Sequence, residues 1–152
     1  MRHGQQWVIV QNKLESLAKV VASSAAGLVL KAKGVAEQSH NKLEQNAVIG
    51  SATQCALAAS QLVAVTKVLS PTIDSPECQE QLVEVAKQVA KAVDDVVATA
   101  EQSGCEGTLL TDLSGEGNAV IRALDNLMQF VKHGPAYSQR VCNLLLKFHL
   151  LC

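Results

Sequence analysis

Four histidines, five cysteines and a pair of adjacent aspartates are the side chains of this sequence best suited to catalysis or metal binding. His3, His40, His133 and His149 stand apart, with no second histidine or cysteine at ligand spacing and no H-E-x-x-H. They read as solvated or loop-end imidazoles. Asp94 and Asp95 are neighbours, so on a helix they diverge by about 100° and form no acid/base pair. Gly115-Glu116-Gly117 lacks the third glycine and the preceding strand of a dinucleotide loop. Neither G-x-x-x-x-G-K-[ST] nor G-x-S-x-G occurs. Cys55, Cys78, Cys105, Cys142 and Cys152 are odd in number and contain no C-x-x-C, which reads as a reduced, cytosolic protein. Cys55 falls on an apolar stripe and is expected to be a buried, inert thiol. Cys78 falls in a helix's first turn, between Glu77 and Glu80. No catalytic, cofactor-binding or metal-binding residue is assigned, and the chain reads as a non-enzyme.

The elements that carry these residues are helices. The chain of 152 residues is 48% hydrophobic and 18% charged with a net charge of −1, too apolar for a disordered tail and without the basic excess that nucleic acid demands. Aromatics are 3%, so the core must be built from Ala, Val and Leu, and only modest stability is expected. The longest unbroken apolar run, Ala25 to Leu30, is too short to span a bilayer, so no transmembrane segment is expected.

Glu77 to Ser103 shows the clearest pattern. Leu82, Val85, Ala86, Val89, Ala90, Val93, Val96, Val97 and Ala100 recur at alternating steps of three and four, and Glu84, Lys87, Gln88, Lys91, Asp94 and Asp95 lie opposite. Ser75 is the expected N-cap, Pro76 the first helical residue, and Glu77 favours the positive end of the dipole. An earlier stripe, from Leu14 through Leu17, Ala18, Val21 and Ala25 to Ala32, starts a first helix at Lys13. Asn41-x-x-Glu44 has the form of a capping box opening a second, with Val48, Ala52, Cys55, Ala56, Ala59, Leu62, Val63 and Thr66 on its stripe. Pro71 closes it. Gly104 and Gly107 precede a fourth helix, capped by Thr108 and carrying Leu110, Leu113, Val120, Ile121, Leu124, Met128 and Val131. Gly134-Pro135 is its expected stop. Gly115 and Gly117 weaken it by about 1 kcal/mol each against Ala.

The first three stripes begin at evenly spaced positions, Leu14, Val48 and Leu82, as an internal repeat would. Short connections force neighbouring helices antiparallel. The expected fold is therefore all-α, an antiparallel four-helix bundle over 13–134 with poorly matched terminal extensions. Residues 1–12 and 135–152 stay unassigned, the latter reading as a fragment end.

QCALAASQLVAVTKVLSPTIDSPECQEQLVEVAKQVAKAV closely resembles the rod of the talin family of adhesion adaptors. LAKVVASSAAGLVLKAKGVAE and NAVIRALDNLMQFVKH resemble the helices before and after it, so the resemblance covers about Leu14 to His133. It implies one rod bundle with cryptic binding helices for vinculin, exposed when tension opens the bundle. It also implies indirect links to actin and integrin, a docking surface for an adaptor helix that recruits talins to active small GTPases, and a cytoplasmic place at the cytoskeleton and focal adhesions. The family's site has the form L-x-x-A-A-x-x-V-A-x-x-V-x-x-L-I-x-x-A. The third helix matches it from Leu82 to Ala100 with apolar swaps at the first Ala and at the Leu-Ile pair. The second matches from Val48 to Thr66, with Ser51 and Thr66 as polar departures. A passive helical spacer and an apolar-ligand or lipid carrier are the alternatives. The paucity of Trp, Phe and basic residues beside the stripes disfavours membrane binding.

Overall fold

The computed structural model describes residues 2–147, with side-chain environments over 7–133. It contains four helices: α1 (Arg2–Glu37), α2 (Lys42–Leu69), α3 (Pro76–Gln102) and α4 (Gly107–Lys147), with a 3-10 turn at Ser70–Thr72 after α2. No strand occurs among the described residues. Each helix packs on its neighbours in chain order, and α4 returns to α1, closing a four-helix bundle. The α3–α4 seam is the sparsest of the four. The expectations for the side chains of His3, Cys142, His149 and Cys152 fall outside the described residues.

The core is predominantly aliphatic. Leu14, Val21 and Leu28 of α1, Leu62 of α2, Leu82, Val89 and Val93 of α3, and Leu113, Leu124 and Leu127 of α4 are fully buried among alanines. Small side chains let the helices approach closely, at the cost of less area removed from water per residue.

The helix ends explain themselves chemically. Asn41 caps α2, its side-chain oxygen accepting from Leu43 N–H at 2.9 Å and Glu44 N–H at 3.3 Å. The Asn41 N–H goes to Ser39 Oγ at 3.3 Å, and that hydroxyl lies 3.4 Å from Glu44 Oε2, so the glutamate reaches the cap only through Ser39. At the end of α3, Gly104 adopts φ 87°, where a Cβ would be strained. Cys105 N–H then bonds Ala100 carbonyl at 3.1 Å and Gly104 N–H bonds Glu101 carbonyl at 3.0 Å, a Schellman closure. Two glutamines tie the connections down: Gln45 Nε2 donates to Ala36 carbonyl at 3.0 Å, and Gln79 Nε2 to Ile73 carbonyl at 2.9 Å.

Three helix boundaries and one capping bond differ from the sequence expectation. α1 begins at Arg2, not Lys13. Val10 is buried in the core, and Trp7 packs against it while its indole Nε1 donates to Pro71 carbonyl at 3.2 Å. The added turns thus have a tertiary partner, the α2–α3 connection. Ser75 is the N-cap of α3 by position, but its hydroxyl donates to Glu77 Oε2 at 2.7 Å instead of capping. That bond, followed by one from the residue's own backbone, holds the Glu77 carboxyl below its ordinary pKa. Thr108 does not cap α4, because the helix already begins at Gly107, with φ 68°. Gly134-Pro135 does not stop α4, which continues to Lys147. Proline removes one N–H donor, but its ring-fixed φ is itself helical, so a long helix can run through it.

Replacing Trp7 by alanine should lower stability by about 1 kcal/mol, the worth of one hydrogen bond with some apolar cover. Chemical denaturation would measure it, and an unchanged midpoint would show that the indole does not hold the connection.

Candidate functional site

The α3 stripe is sunk into the bundle. Leu82, Ala86, Val89, Val93, Val96 and Ala100 are buried, and Val85, Ala90 and Val97 flank them half-buried. Glu84, Lys87, Gln88, Lys91, Asp94 and Asp95 are all exposed on the opposite side. The division follows from the 3.6-residue period: each buried position is three or four residues from the next.

The α2 stripe is arranged alike. Val48, Ala52, Cys55, Ala59, Leu62 and Thr66 are buried, with Ala56 and Val63 half-buried. Burial pushes the Cys55 thiol pKa up, as an inert core cysteine requires. Ser51 Oγ donates to Val48 carbonyl at 2.9 Å and Thr66 Oγ1 to Leu62 carbonyl at 2.7 Å, so the two polar departures satisfy themselves within their own helix. α2 and α3 lie side by side, and all seventeen sequence-predicted positions contribute to one continuous pair of ridges.

The bland polar candidates stay apart. His40, His133, Asp94 and Asp95 are exposed, and no group of three His, Cys, Asp or Glu side chains gathers for a metal among the described residues. Cys78 Sγ meets Thr72 Oγ1 at 3.2 Å beside the 3-10 turn.

Sequence reading missed several residues that hold the ridges in place. Ala123 and Leu127 of α4 are buried although they lay outside its expected stripe, and Ile73 anchors the α2–α3 connection at zero exposure. Gly117 is a contact as well as a weak point. A Cβ there would meet Val93 Cγ1 and Val97 Cγ2 at 3.4 Å, so its missing side chain admits the α3 ridge. A glycine facing a valine pair at helical register was the available signal.

One further feature of α2 was not evident from unbroken apolar runs. Lys42–Thr72, α2 with its 3-10 turn, is long and apolar enough to cross a membrane by length and composition. No charge interrupts the chain between Glu44 and Lys67. In this fold the same helix is a wall of the bundle, packed on α1 and α3.

Substituting valine for Thr66 tests how far the core is softened. Thr66 has 0% exposure, and a methyl in place of its hydroxyl adds apolar burial without orphaning the Leu62 carbonyl, which keeps its helical partner. The expected gain is about 1 kcal/mol, read as a melting temperature about 3 °C higher. An unchanged or lower melting point would show that the hydroxyl is not a liability.

Two ridges whose apolar sides are consumed by their own bundle, with charge outside, define a helical-bundle module. Comparison with known proteins gives it a family. The Talin IBS2B domain matches residues 8–103, which is α1 from its second turn through α3. Talin-1 of Gallus gallus is 49% identical over 131 residues, 86% of this chain. Talin-2 of Mus musculus and of Homo sapiens are each 49% identical over 122 residues, 80% of this chain. The chain belongs to the talin family, as a rod domain. It spans about 5% of the length of these relatives.

Proposed function

We propose that this bundle is an adhesion adaptor module of the cytoskeleton, in which α3, and secondarily α2, are concealed binding helices for vinculin. The observation that carries this reading is the inward orientation of the Leu82–Ala100 ridge combined with an outer face of mostly charged and polar residues. Such a helix can bury its apolar side in only one place at a time, its own bundle or the groove of another helical protein. The two states compete, and the free energy of opening sets the balance. A domain of this size is held by about 5–15 kcal/mol in total. An aliphatic core rich in alanine, with Thr66 inside it and Gly117 on the facing helix, belongs at the low end. Tension favours the open state because unpacked helices extend the chain between its ends. Actin and integrin linkage, and a place at focal adhesions, follow as those of the talin family. So does docking of a GTPase-effector adaptor helix on the folded bundle.

The test is binding of vinculin head to the whole chain before and after partial unfolding, alongside a peptide of residues 76–102. Tight binding to the peptide and to the opened chain, and weak binding to the closed chain, is expected. Equal binding before and after opening would mean that nothing is concealed. No binding by the peptide would leave a passive spacer.

A further inference from the structure

The connection between α2 and α3 contains two Ser-Pro dipeptides, Ser70-Pro71 and Ser75-Pro76, and the fold holds them in opposite states. Ser70 is 2% exposed. Its backbone is helical, with φ −57° and ψ −38°, a conformation that a following proline disfavours. Its hydroxyl lies 3.4 Å from Lys67 carbonyl and 3.5 Å from Glu15 Oε1 of α1. α1 covers the same place again through Trp7, whose indole holds Pro71 carbonyl. Ser75, five residues on, is half-exposed and already extended, with φ −73° and ψ 129°. Its hydroxyl is engaged only with the exposed Glu77 carboxylate.

A proline-directed kinase takes its substrate extended, with the acceptor hydroxyl followed by an imino acid that has no N–H to satisfy. Ser75 meets those conditions in the closed bundle. Ser70 meets none but the sequence, and gains the rest once α1 leaves the connection and its backbone becomes extended.

We propose that Ser70 is a phosphorylation site for a proline-directed serine/threonine kinase, shielded in the closed bundle and exposed on opening, and that its phosphate then prevents re-closure. In the transfer, the bond from the γ-phosphorus of ATP to its bridging oxygen breaks as the Ser70 Oγ–P bond forms. The hydroxyl proton passes to the kinase's general base, and ADP leaves. The product carries about −1.5 to −2 charge at neutral pH. Re-closing would return that charge to a covered site whose facing side-chain group is the Glu15 carboxylate, so both desolvation and like-charge repulsion act against it. Phosphorylation would thus record that the bundle had been opened. The proposal shares with the vinculin reading the requirement for opening, but not vinculin itself.

The experiment treats the full chain with ATP and a cyclin-dependent kinase with its cyclin, without vinculin, and follows each serine by peptide mass spectrometry. Three substrates are compared: the native chain, a Leu28→Ala variant that opens more often, and a peptide of residues 66–80. In the native chain Ser75 is expected to be modified at least about 100-fold faster than Ser70, since access to Ser70 follows the open population. Leu28→Ala should speed Ser70 at least about 10-fold and leave Ser75 within about twofold, and in the peptide both should react. A Leu28→Ala chain that fails to fold is simply open and should give the same rise. Equal rates at Ser70 and Ser75 in the native chain, or no reaction at Ser70 in the peptide, would overturn the proposal. For the second half, Ser70→Asp should lower the melting temperature by several degrees and Ser70→Ala should barely change it, with Glu15→Gln recovering part of the loss. A Ser70→Asp chain as stable as the native one would show that charge at Ser70 does not oppose closure.

Discussion

Replacing Leu82 by alanine will cost the bundle about 3–5 kcal/mol, the usual range for a buried leucine truncated to alanine. Leu82 is 1% exposed at the start of the α3 ridge, on a helix packed against both α2 and α4. A melting temperature lower by about 6–15 °C is the readout for the fold. The same change should weaken vinculin binding by the isolated 76–102 peptide by about tenfold or more, because an anchor side chain is lost from the groove-facing side. In the whole chain the two effects oppose each other, since opening becomes easier as the released helix becomes a poorer ligand. The peptide and the melting curve must therefore be measured separately. Unchanged peptide affinity would remove α3 as the binding helix, whatever happened to the fold.

Gly117→Val separates the same two quantities from the other side. The substitution lies on α4 and leaves every residue of the α3 ridge intact. A Cβ at Gly117 already reaches 3.4 Å from Val93 and Val97, and the two further methyl groups of valine must overlap them or push α3 away. Overpacking of this kind costs about 1–3 kcal/mol, and valine returns little helix propensity over glycine. A loss of about 2 kcal/mol would raise the open fraction, and so the apparent vinculin affinity of the intact chain, by about 30-fold. The peptide's affinity should not move at all. If the destabilised chain bound no better, the closed bundle would not be what limits access.

The contrast between these variants shows what was legible in the residues themselves. The α3 ridge could be read directly, because its apolar steps of three and four are backed by charged or polar residues at most of the outward positions. The capping of α2 by Asn41 and the positive-φ break at Gly104 were equally local and equally readable. The first turns of α1 were not, because Trp7-Val8-Ile9-Val10 suits a strand stub as well as a helix. Only the carbonyl of Pro71, distant in the chain, decides between them. Gly134-Pro135 misled for the opposite reason. A proline costs a helix interior about 3 kcal/mol, a local penalty that a 41-residue helix can absorb. Gly117 looked like a pure weakness since its benefit belongs to valines on another helix. Ser70 carried no sign of burial at all, because serine is most often a surface residue and its cover comes from α1.

The indole that grips the α2–α3 connection is the only tryptophan in the chain. Excited near its red edge, the protein therefore has one emitter, seated at the seam where α1 meets that connection. Parting of the seam would wet the ring and move its emission to longer wavelength, so the molecule has a built-in optical gauge that needs no attached dye. The colour of that light would report the separation of α1 from that connection.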